Sequence, residues 1–158
     1  MQGQQQQNRV QLVVYDLSRG MATTMSQQIL GQQIDGIWHT GILVYGVEYF
    51  FGGGIQAQPE GIFARQHQMP SVRMHDLGST TKLKAELQAF LMSIHNQFNA
   101  STYNLLRNNC NNFSDTVAQF LVGKMVTFFQ ISLDLFCQLT LFLVCCVVYR
   151  QPDTFLYS

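Results

Sequence analysis

The period of the apolar residues changes partway along this chain, and that change constrains the fold class. In the first half the apolar runs are short and rich in β-branched and aromatic residues: VQLVVY at 10–15, IWHTGILV at 37–44 and EYFF at 48–51, with a brief one at 72–74. Runs of this kind, bounded by Gly, Asp and Ser, read as strands. Asp16-Leu17-Ser18-Arg19-Gly20 breaks the first, and Gly46-Val47 turns the second back onto the third as a hairpin. Ser26 is expected to cap a short helix that ends at Leu30, before Gly31. Residues 55–70, with two of the three prolines, read as a loop. From Lys82 to Phe98 the pattern is helical, with Leu83, Leu87, Phe90, Leu91, Ile94 and Phe98 on one stripe. A second helix is expected from Cys110 to Val122, on the stripe Phe113, Val117, Phe120 and Leu121, with Gly123 suited to its stop. Strands followed by helices over a chain of 158 residues describe one α+β domain with a real core.

Nine basic and nine acidic residues leave no net charge and no basic cluster with which to grip nucleic acid. The opening MQGQQQQNRV lacks the charged-then-apolar pattern of a secretory signal, so residues 1–9 read as a disordered, glutamine-rich lead-in. The expected setting is reducing, cytoplasmic and/or nuclear, with free thiols. Cys110, Cys137, Cys145 and Cys146 lack C-x-x-C spacing and have no H-x-x-x-H companion, so neither a metal nor another cofactor is expected.

Cys110 is unusual in its surroundings. In NNCNNFS, residues 108–114, it lies among four asparagines, residues that favour turns and helix caps. It is a thiol at the mouth of a helix rather than in a core. Unpaired N–H groups and the helix dipole at such a position favour a thiolate, so a depressed pKa is expected. The same donors suit the oxyanion of a tetrahedral intermediate. Four histidines could serve as its base. His67 and His75 lie in or near the proline-bearing loop, His95 lies at the margin of a helical stripe facing solvent, and His39 lies in a strand between Trp38 and Thr40. A strand holds a side chain more rigidly than a loop, but spacing does not choose among the four.

Three blocks, VYDLSRG (14–20), ILGQQIDGIWHTGILVYGVEYFFGGGI (29–55) and YNLLRNNCNNFSDTVAQFLVGK (103–124), closely resemble the PPPDE family of permuted papain-fold peptidases, which includes desumoylating isopeptidases. The resemblance covers most of residues 10–124. It implies an antiparallel sheet or half-barrel packed against helices. It also implies a Cys–His dyad, whose histidine in G-x-W-H-T falls on His39 and whose cysteine in N-C-N-x-F-S falls on Cys110. Histidine before cysteine is the order a circular permutation of the papain fold requires. Asn109 and Tyr15 lie in matching motifs without an assigned role. The implied reaction removes SUMO or another ubiquitin-like modifier from lysine through an acyl-enzyme. A thioesterase acting on palmitoylated proteins and a non-catalytic module that binds a modifier are the alternatives. SUMO- or ubiquitin-conjugated proteins are the implied partners, and relatives suggest a homodimer. Gly52-Gly53-Gly54 reads as a tight turn, or as the lining of a groove for a glycine-ended tail.

The resemblance fades near Lys124. Residues 125–158 form a divergent apolar tail, expected to be helical, whose stretch 125–149 is about long enough to span a bilayer, which takes ~20 residues. Asp134 at its centre counts against a span. A membrane anchor, a helix covering the domain, and sequence from beyond a normal splice junction are the three readings of it.

Overall fold

A computed structural model of the chain describes residues 7–31, 33, 36–69, 72–105 and 107–126. Most of the glutamine-rich lead-in and nearly all of the apolar tail therefore lie outside the described residues. In chain order the elements are β1 (Asn8–Asp16), α1 (Met21–Leu30), β2 (Trp38–Val44), β3 (Val47–Phe51), β4 (Ile55–Pro59), α2 (Ile62–Gln66), β5 (Val72–Thr80), α3 (Lys84–Ser93) and α4 (Cys110–Val122). The strands form one sheet in the order β4-β3-β2-β1-β5. Each adjacent pair is antiparallel. Among the described residues no helix is long and apolar enough to cross a membrane.

Side-chain alternation gives the sheet two different faces. Val13, Tyr15, Leu43 and Phe50 form one, closed by Phe63 of α2. α4 packs across the other, against β1, β2, β3 and β5. There the Phe113 ring meets Phe51 at 6.3 Å and Phe98 at 5.3 Å, and all three residues are buried. Phe90 of α3 stacks on Phe120 of α4 at 4.0 Å, which ties the two helices together.

The expected central strands, the hairpin and the Cys110–Val122 helix are present. Four expectations need correction. α1 starts at Met21, and Ser26 is buried within it rather than capping it. The stretch read as a loop holds β4 and α2, because the edge of β3 supplies a ladder that β4 completes. β5 runs for nine residues where three were expected; its exposed Arg73, His75 and Asp76 hide the strand, and pairing to β1 makes it. α3 occupies only Lys84–Ser93, with turns carrying the chain on to the buried Phe98, and Leu83 is an exposed N-cap residue.

Asp16 explains where α1 begins. Its Oδ1 accepts from Ser18 N at 2.9 Å, Ser18 Oγ at 2.6 Å and Ile37 N at 3.0 Å, while Oδ2 accepts from Gly20 N at 2.8 Å. One carboxylate thus joins the end of β1 to the starts of α1 and β2. Burial alone would raise its pKa, but the hydrogen bonds from Ser18, Ile37 and Gly20 hold it below the ordinary 3.8. Asp16→Ala is expected to destabilise the domain by about 2–3 kcal/mol at neutral pH, as measured by urea unfolding. Because the folded pKa is depressed, this stabilisation is present above 3.8 and is lost as the pH falls through the folded value. The deficit of the variant should therefore shrink in acid. A deficit that stays constant with pH would contradict this role.

Candidate active site at the β2–α4 contact

The four asparagines around Cys110 have separate structural tasks. Asn108 Nδ2 donates to Gln97 O at 2.8 Å and Thr102 O at 3.0 Å, pinning the chain that leads into α4. Asn109 is the N-cap: its Oδ1 accepts from Asn111 N at 2.8 Å and Asn112 N at 3.3 Å. Asn112 Oδ1 accepts from Asn109 N at 3.0 Å, which completes a capping box. Asn111 reaches the sheet, where Thr40 Oγ1 of β2 bonds its Oδ1 at 2.9 Å. Thr40 Oγ1 also lies 3.0 Å from Ser114 Oγ, one turn further along α4. Cys110 is thereby fixed against β2 and buried.

The backbone N–H groups of Thr40, Asn111 and Cys110 itself, and the Thr40 hydroxyl, lie close enough to the Cys110 sulfur to act on its charge. All of them favour a thiolate. Burial opposes them, is the larger effect, and pushes the thiol above its ordinary 9.0. The depressed pKa expected from the helix start is thus overturned: the donors are present, but exclusion of water outweighs them. The thiol itself faces Asn111 Oδ1 at 3.9 Å.

His39 immediately precedes Thr40 in β2 and pairs across the sheet with Tyr15. Its ring stacks on Phe63 at 4.8 Å, meets Phe50 edge-on at 5.6 Å and lies 6.2 Å from the Tyr15 ring. Its Nε2 is buried without a hydrogen-bond partner. Burial, with a smaller contribution from His67, lowers its pKa to about 4. Both expected site residues are therefore neutral at pH 7. Their chain neighbours meet, Thr40 with Asn111 at one strand–helix contact, while the His39 ring lies with Tyr15, Phe50 and Phe63 on the sheet face turned away from α4. No hydrogen bond joins the two side chains. Of the other histidines, His67 packs its ring on Phe63 at 4.4 Å, whereas His75 and His95 are exposed.

Sequence reading passed over Thr40, Asn111, Ser114 and Phe63. Thr40 and Asn111 directly follow the two motif residues, a signal available in the chain, but their contact spans 71 positions. Phe63 lay in the supposed loop. A further pair, Tyr15 and Glu48, sits on the His39 face. Tyr15 OH donates to Glu48 Oε2 at 2.8 Å, and burial raises the pKa of both groups. Gly41 makes room for it, since a Cβ there would come within 2.8 Å of Glu48 Oε1. Among the described residues no group of three or more His, Cys, Asp and Glu side chains is placed to hold a metal ion. Cys137, Cys145 and Cys146 lie outside the described residues.

Comparison with known proteins agrees with the motif resemblance. The PPPDE putative peptidase domain matches residues 8–149. The chain is 43% identical to desumoylating isopeptidase 1 of Homo sapiens over 119 residues, covering 74% of this chain and 69% of that protein. It is 40% identical to the Xenopus laevis protein of the same name over 119 residues, with the same coverage of each chain. Similarity extends to the DeSI-like protein sdu1 of Schizosaccharomyces pombe, at 29% over 126 residues, 77% of this chain and 61% of that one.

Two expectations follow from the neutral pair. The rate of Cys110 alkylation should rise with pH to a midpoint above the ordinary thiol value. A midpoint well below that of a free cysteine would contradict the burial argument. The second concerns stability. The unfolded imidazole binds a proton below 6.5, whereas His39 in the fold does so only near 4. The folding free energy should therefore decline across that window as the pH falls, by roughly 3 kcal/mol at most from this group. His39→Phe should flatten that part of the curve in urea titrations, and an unchanged slope would count against a neutral buried His39.

Proposed function

The chain belongs to the PPPDE putative peptidase family, and on that premise we propose that it is a cysteine isopeptidase that removes SUMO or another ubiquitin-like modifier from lysine side chains. The single observation that carries the reading furthest is the 2.9 Å hydrogen bond from the Thr40 hydroxyl to Asn111 Oδ1. It ties the residue after Cys110 to the residue after His39. The named activity of the relatives supports SUMO conjugates as the substrates.

In the proposed reaction the His39 ring turns from Phe63 toward the sulfur and accepts the thiol proton. A thiolate and an imidazolium stabilise one another, so making the pair offsets the separate burial penalties of the two groups. The thiolate attacks the carbonyl of the modifier's terminal residue. Backbone N–H groups at the start of α4 face the developing oxyanion. His39 returns its proton to the lysine amine as the amine leaves. Water then attacks the acyl-enzyme, with His39 again as base, releasing the modifier with a free carboxylate and restoring the thiol.

SUMO carrying a C-terminal electrophile tests this directly. The wild-type chain should form a covalent adduct mapped by mass spectrometry to Cys110, and Cys110→Ala should form none. His39→Ala should slow the reaction by about 10²–10⁴-fold, the usual contribution of a positioned general base. An adduct on another cysteine, or one that forms at the wild-type rate without His39, would overturn the proposal.

A further inference from the structure

Ser114, Thr40 and Asn111 form a line of hydrogen-bonding groups that ends at the Cys110 sulfur. Thr40 Oγ1 of β2 lies 2.9 Å from Asn111 Oδ1 and 3.0 Å from Ser114 Oγ. The thiol faces the same Asn111 oxygen at 3.9 Å. A hydroxyl carries one proton, so Thr40 donates to one of its neighbours and accepts from the other. Thr40 and Ser114 are buried, so their hydroxyls depend on these contacts. Asn111 is only partly buried, and its Nδ2 has no partner among the described residues.

Two arrangements satisfy this line. In the first, the thiol and the Thr40 hydroxyl both donate to Asn111 Oδ1, and Ser114 donates to Thr40. In the second, the amide has turned end over end about its Cβ–Cγ bond. Nδ2 then gives one proton to the sulfur and the other to Thr40 Oγ1, while Thr40 donates to Ser114. The contacts are the same and every bond is reversed, with water available to the outward end of the amide in both. The first arrangement fits a thiol, which has a proton to give. The second fits a thiolate, which only accepts. A thiolate facing the amide oxygen would meet another electron-rich atom, and that contact would oppose ionisation. No charged side chain of α4, or of the strands packed against it, acts on the sulfur. His39, the titratable neighbour of Thr40, is neutral down to a pH of about 4. Local dipoles therefore decide how well a thiolate is held.

We infer that the Asn111 amide is a further catalytic residue of this site: it turns end over end as Cys110 ionises, holding the thiol through Oδ1 and the thiolate through Nδ2. In that step the S–H bond breaks, the electron pair stays on sulfur and the proton passes to the His39 imidazole. Thr40 and Ser114 lose no proton; their hydroxyls only rotate. This inference rests on the proposed thiol chemistry and adds a residue to it.

Two measurements test it. In nitrogen-15 NMR the Asn111 side-chain amide should shift with pH along the Cys110 titration, and the shift should be lost in Cys110→Ala. This readout uses the unaltered side chain, so it stands even if variants at Asn111 fold poorly. In Asn111→Ala, iodoacetamide labelling of Cys110 at about pH 8.5 should slow by about tenfold. Loss of one donor to the sulfur should raise its midpoint by about one pH unit. The sign separates this role from docking. If Asn111 only held α4 on β2, its loss would loosen the contact, admit water and speed labelling. Unchanged or faster labelling of Asn111→Ala, or an Asn111 amide signal indifferent to the ionisation of Cys110, would overturn the inference. Should both results hold while SUMO conjugates go uncleaved, the proposed substrate fails and the role of Asn111 stands.

Discussion

The candidate site depends on a strand pairing that ends early. β2 leaves β3 after Gly41↔Phe50, and just beyond that point Thr40 meets the start of α4. The Thr40 hydroxyl anchors the first turn of α4 through Asn111 and Ser114. A single residue therefore docks the start of the helix, and with it the thiol, on the strand that carries His39. The aromatic contacts of Phe113 with Phe51 and Phe98 hold the rest of the helix on the sheet. The buried carboxylate of Asp16 sets where β2 begins through its bond from Ile37 N. The fold around the site is a set of tethers converging on the first residues of β2 and α4.

Two opposing effects meet at the thiol. Helix-start and strand donors favour its ionised form, and burial disfavours it more. His39 is subject to the same penalty from the opposite charge type, so its proton affinity falls as that of the thiol rises. The outcome is a neutral pair at rest, a less reactive state than a preformed thiolate–imidazolium pair. Such a thiol is guarded against adventitious electrophiles; in the proposed reaction a substrate that aligns the two groups supplies the missing interaction.

Much of this was legible in the sequence where local signals and tertiary structure agree. The helix Cys110–Val122 carries its own cap, stripe and stop, so its bounds could be read directly. β2 and β3 are apolar because they are central, and they show it. β4 and β5 are the sheet's edges; their exposed residues carry no alternation, and only pairing to a neighbour makes them strands. The start of α1 was misread because its anchor, Asp16, lies at the end of another element. Cys110 stood out by its asparagines, but the choice of His39 came from motif resemblance, not from spacing. The sign of the thiol's pKa shift was out of reach, because burial is a property of the assembled sheet and helix.

The central claim is that Cys110 and His39 rest as a neutral thiol and a neutral imidazole. Carbon-13 NMR of the Cys110 Cβ and the His39 Cε1 against pH reads both states in the intact, unliganded protein. The account predicts an imidazole that stays neutral down to a pH of about 4, together with a thiol that ionises only above its ordinary 9.0. A thiolate and an imidazolium both populated at pH 7 would contradict it.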